Sequence, residues 1–78
     1  MPTIDRFGGI KINVYNGDHL PPHIHVVYNE HEALLVIKNG KVYAGSLPPK
    51  QMKLAQAWLE LNNQWALTIF FELNPTLK

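Results

Sequence analysis

Cysteine is absent from this chain of 78 residues, and so is any cluster of like charge. The first absence excludes disulfides and thiolate metal sites, two common supports of a small fold. It fits a reducing compartment. Seven Lys and Arg stand against six Asp and Glu, scattered along the chain, for a formal net charge of +1. Binding a nucleic-acid backbone needs clustered positive charge that releases counterions, so nucleic acid is not an expected partner. The longest apolar stretches, ALLVI and ALTIFF, fall far short of a membrane span. The opening MPTIDRFGGIKINV lacks a basic region followed by a long apolar run. No secretory leader is expected from it, and a cytoplasmic location is. Serine occurs once, at Ser46, which leaves little material for covalent nucleophilic catalysis.

What remains is one domain, residues 1–78, that changes period halfway along. A chain this short buries only roughly 60–65% of the surface its unfolded form exposes, so a metal or a partner would help it. In IKINVY, Ile10, Ile12 and Val14 alternate with polar residues, which describes a half-buried strand entered through Gly8-Gly9. HIHVVY reads as a second strand and ALLVIK as a third. Asn39-Gly40 then offers a type I′ hairpin into KVYAG. The expectation is an α+β fold: a four-stranded antiparallel meander with strands near 9–15, 23–28, 33–38 and 41–45.

The second half has helical spacing. Ser46 suits an N-cap, with Pro48 or Pro49 in the first turn. Leu54, Trp58, Leu61 and Trp65 form a stripe that Ala55, Leu59, Ala66, Ile69, Phe70 and Leu73 extend. One long C-terminal helix, about 48–73, is expected across the Ile/Val face of the sheet, ended by Asn74-Pro75. A break near Asn62-Asn63 is the alternative.

From Trp65 to Leu73 only Thr68 and Glu72 are polar. A helix apolar on every side has to be buried on every side, and four strands cannot enclose it. Trp65, Leu67, Ile69, Phe70 and Phe71 are therefore the expected contact surface of a homo-oligomer, a dimer or higher.

Residues 18–25, DHLPPHIH, concentrate the chemistry. His23 and His25 are two apart on a strand and leave the same face, an arrangement that offers two imidazoles to one zinc, iron or manganese ion. His19 or Asp18, brought back over Pro21-Pro22, supplies a third ligand. Glu30, His31 and Glu32 fall at the far end of that strand and are not expected to join. With three protein ligands, water in the open position becomes a nucleophile near neutral pH. The same residues also suit a structural loop, in which Asp18 caps a turn and the histidines satisfy carbonyls.

MPTIDRFGGIKINVY, DHLPPHIHV and GSLPPKQMKLAQAWLEL together resemble the bacterial family called domain of unknown function 4160. Its Asp-His-x-Pro-Pro-His-x-His run corresponds here to Asp18, His19, Pro21, Pro22, His23 and His25. Leu47-Pro48 and Trp58 also fit. The resemblance implies a small cytoplasmic protein, often encoded beside another short reading frame and sometimes carried on mobile elements. That arrangement implies a cognate protein partner in a toxin–antitoxin-like pair. After Trp58 the family tends to show a histidine and acidic residues, where this chain has Asn62, Asn63 and Gln64. Two readings stay open: a protein acting through association, and a metal-dependent hydrolase or nuclease using the histidine loop.

Overall fold

The computed structural model describes residues 3–77. Its sheet is antiparallel, with five strands in the order β1-β2-β3-β4-β5: Thr3–Phe7, Ile10–Asn13, His23–Tyr28, His31–Val36 and Val42–Gly45. The meander is as expected; the number of strands is not. An additional strand, β1, precedes the four and pairs with β2 through Gly8 and Gly9, whose φ angles are 54° and 79°. Two residues at positive φ form the tight connection whose twist suits a hairpin. Gly8-Gly9 is thus a turn between strands, where the spacing had suggested only the entry to one.

Register places Ile12, Val26 and Ala33 in one row and Ile24 beside Leu35 in the next. These side chains are fully buried, and they share the core with Ala55, Trp58, Leu59, Ala66 and Phe70 of the helical half. The Asn39-Gly40 region does join antiparallel strands, but not as a type I′ turn. Gly40 alone of the two has positive φ, and the connection is a longer loop closed by Gly40 N–H to the Val36 carbonyl at 2.8 Å. At the end of β5, Gly45 has φ of 75°, and a Cβ there would meet the Glu32 carbonyl oxygen at 2.1 Å. Glycine is required at that position by both strain and space.

The single long helix is two helices, α1 (Pro49–Leu61) and α2 (Asn63–Leu73), separated at Asn62 with φ −118° and ψ 24°. Asn62 Nδ2 donates to the Trp58 carbonyl at 2.9 Å, and the Asn63 amide donates to the Ile37 carbonyl at the end of β4. Side-chain amides that bond nearby backbone compete with helix continuation. Length gives the larger reason. An unbroken helix of that span would run roughly 36–39 Å, about twice the reach of strands of four to six residues. The break keeps Ala55, Trp58 and Leu59 of one helix and Ala66 and Phe70 of the other on the same core.

Ser46 is not the N-cap. Pro48 occupies that position without a side-chain bond, Pro49 starts the helix, and the Ser46 N–H bonds the Glu32 carbonyl at 3.1 Å. A second long-range tie fixes α1: Trp58 Nε1–H donates to Asp5 Oδ2 on β1 at 2.6 Å. Among the described residues, no helix is long and apolar enough to cross a membrane.

Candidate metal centre

Alternation along β3 sends Ile24 and Val26 into the core and His23 and His25 to the opposite side. The Tyr15–Pro22 connection folds back across the start of β3, with a cis peptide between Leu20 and Pro21. Asp18 thereby comes to lie over both imidazoles. His23 Nε2 and His25 Nε2 are each 3.1 Å from Asp18 Oδ2. One ligand atom from each of Asp18, His23 and His25 lies within 4.8 Å of the others.

The far side of each ring decides which nitrogen is free. His23 Nδ1 sits 2.7 Å from the Pro21 carbonyl oxygen, an acceptor, so Nδ1 carries the proton and donates. In the neutral ring His23 Nε2 then presents a lone pair. It is fully buried and has no hydrogen-bond partner among the described residues, because Asp18 Oδ2 is near but not oriented for a bond. His25 differs in having both nitrogens bonded, Nδ1 3.3 Å from Glu32 Oε2 and Nε2 3.1 Å from Asp18 Oδ2. Metal-bound histidines characteristically give their second N–H to a carbonyl or carboxylate in this manner.

His19 joins from the rim. Its Nδ1 is 3.1 Å from the Leu20 carbonyl and its Nε2 3.9 Å from Asp18 Oδ1, on the other edge of the carboxylate. Its side chain is 63% exposed. His19 is therefore beside the cluster of three and not part of it. Tyr15 stacks edge-on against His25 at 4.4 Å, and Tyr43 lies 5.7 Å from the His23 ring. A shallow depression of about 310 Å³, lined by Tyr15, Asn16, Gly17, Asp18, His25 and Glu32, opens beside the ligands.

Burial pushes the Asp18 carboxyl up. The hydrogen bond with His25, the His19 N–H at 3.0 Å and the positive charge that His23 and His25 carry when protonated outweigh burial, and the net displacement is downward. Asp18 is thus held as a carboxylate, the form that ligates.

Two expectations change here. Glu32 does reach the site: the β3–β4 register sets Val27 opposite Glu32 and His25 opposite Leu34, so Glu32 is the diagonal neighbour of His25. Glu30 stays at the turn and His31 opens β4, 3.9 Å from each other and away from the cluster. Phe70 is fully buried in the core, with its ring 5.8 Å from that of His23, and offers no surface to a partner. Leu67, Ile69 and Phe71 are half-buried against the core, while Trp65 is 46% exposed. Sequence spacing also missed Leu54 and Leu61 as surface residues, 41% and 84% exposed on the same stripe as Trp65.

A family model described as Domain of unknown function (DUF4160) matches residues 9–69, a span that includes the whole DHLPPHIH loop and both helices up to Ile69. Neither a curated protein nor a solved structure matches the chain.

Proposed function

The chain belongs to the DUF4160 family, and on that premise we propose that it binds a divalent transition metal through Asp18, His23 and His25 and uses the ion to activate water for hydrolysis. The observation that carries this reading is the buried, unpartnered Nε2 of His23, facing a carboxylate oxygen at 3.1 Å. A carboxylate oxygen and an imidazole nitrogen this close call for a positive centre between them, a proton or a metal ion, and leaving a buried polar atom unpaired costs about 1–3 kcal/mol. A tetrahedral ion with bonds of about 2.0–2.1 Å holds neighbouring ligand atoms roughly 3.3 Å apart. Both Asp–His separations fit. Capture of all three groups requires the widest pair, within 4.8 Å, to close by at most about 1.5 Å.

Two imidazoles and one carboxylate suit zinc, iron(II) or manganese and leave coordination positions open. A water held there has its pKa lowered toward neutrality, which supplies a nucleophile. Glu32 orients His25, Pro21 orients His23, and Tyr15 bounds the side from which a substrate enters. The test is metal retention by the parent and by a His23→Ala/His25→Ala variant, followed by hydrolysis assays with neutral and phosphate esters.

A second reading has its own observation. Leu54, Leu61 and Trp65 form an exposed apolar stripe that crosses the helix break, with Leu61 at 84% exposure. Contiguous apolar surface of this kind favours association, and a second copy of the chain is the occupant proposed here. The contact residues then are Leu54, Leu61 and Trp65, with half-buried Ile69 at the margin. The same stripe is where a cognate protein of a toxin–antitoxin-like pair would bind. Sedimentation of the parent against Leu61→Glu tests it.

A further inference from the structure

The last turn of α2 reaches the loop that carries Asp18. Asn74 is 4% exposed, and its side-chain amide makes three hydrogen bonds. Oδ1 accepts the Asp18 backbone N–H at 2.8 Å, and Nδ2 donates to the carbonyls of Tyr15 at 2.9 Å and Phe70 at 3.0 Å. The first two span 56 and 59 positions of sequence. An amide supplies one acceptor and two donors from a single planar group. Reversed, it would set N–H against N–H and oxygen against oxygen, so the network fixes its orientation.

We propose that Asn74 is a positioning residue for the metal site, holding the loop so that the Asp18 carboxylate stays against the Nε2 atoms of His23 and His25. This rests on the metal reading above. Asn16 and Gly17 are exposed, and Gly17 has φ of 73°, so the residues leading into Asp18 bring little burial of their own to hold it. Asn74 supplies a buried anchor one peptide plane from the ligand. Phe70, one turn earlier on α2, walls the His23 ring at 5.8 Å. One helical turn therefore orders both the carboxylate and an imidazole. A ligand held in place before the ion arrives loses less conformational freedom on binding it.

The role separates from general stability by experiment. Asn74→Asp keeps the shape and the acceptor but sets a carboxylate against two carbonyl oxygens. Asn74→Ala removes all three bonds. Both full-length variants are titrated with Zn²⁺ and with Co²⁺ against a chromophoric chelator, and the metal-free proteins are melted in parallel. Asn63→Ala, which loses a bond to the Ile37 carbonyl away from the ligands, is the control for lost stability. Both Asn74 variants are expected to bind metal roughly 10- to 100-fold more weakly than the parent, the usual loss for a residue behind a ligand. Asn63→Ala is expected to keep the parent affinity. If one Asn74 variant fails to fold, the other carries the comparison.

Parental affinity in the folded Asn74 variants, or an equal loss in Asn63→Ala, would overturn the positioning role and leave the metal site standing. A parent that takes up neither ion would overturn the site and this inference with it.

Discussion

His23 presents a buried Nε2 to Asp18 Oδ2 at 3.1 Å, while its other nitrogen donates to the Pro21 carbonyl at 2.7 Å. Two residues further along β3, His25 repeats the approach to the same oxygen at 3.1 Å. Two imidazole nitrogens converging on one carboxylate oxygen form the set of groups on which the proposed metal site rests.

Metal should stabilise the fold through that set. A ligand that binds only the folded state, present at about 100 times its Kd, adds about 2.7 kcal/mol. In a domain of this size each kcal/mol moves Tm by roughly 4–8 °C. Zinc should therefore raise the parent Tm by roughly 10–20 °C and leave Asp18→Ala almost unmoved. Calorimetry with and without the ion checks this; equal rises in the two proteins would locate the binding elsewhere.

The metal-free protein should lose stability in acid through Asp18. Its carboxyl lies below the ordinary value of 3.8 in the folded state. A group lowered on folding contributes stability that is present above the unfolded value and lost as pH falls through the folded one. On acidification from about pH 5 to pH 2, the parent should therefore lose more unfolding free energy than Asp18→Asn does. Urea titrations at each pH read the difference, and parallel curves for the two would show that Asp18 gains nothing from its neighbours.

Phe70 and Leu61 should separate core from surface. Phe70→Ala empties a fully buried site and should cost about 3–5 kcal/mol of stability. Leu61→Glu replaces a side chain that is 84% exposed and should change stability by no more than about 0.5 kcal/mol. If the helical stripe joins two copies, Leu61→Glu alone should halve the sedimenting mass while the fold persists. An unchanged mass would remove the stripe from the account.

Much of the fold was legible because alternation and helical spacing are local signals. HIHVVY occupies β3 from His23 to Tyr28, as its alternation indicates. β1 was missed because TIDRF alternates poorly, though Gly8-Gly9 is itself a hairpin signal. The helix break was foreseen only as an alternative: Asn62 and Asn63 show it locally, but the limit that enforces it is the width of the sheet. At the site, Asp18, His23 and His25 were readable from one short motif. Glu32 and Asn74 were not. Glu32 arrives by cross-strand register and Asn74 by a contact spanning 56 residues, and neither leaves a periodic trace. Apolar density in TIFFEL suggested an interface at Phe70, yet five strands and two helices enclose that ring within the monomer.

The most direct measurement is metal content by plasma mass spectrometry, on tag-free protein loaded with zinc, iron or manganese and dialysed. The His23→Ala/His25→Ala variant is treated identically. The account predicts close to one ion per parent chain and none in the variant. No ion in either protein, or equal content in both, would contradict it and return DHLPPHIH to the role of a hydrogen-bonded connection.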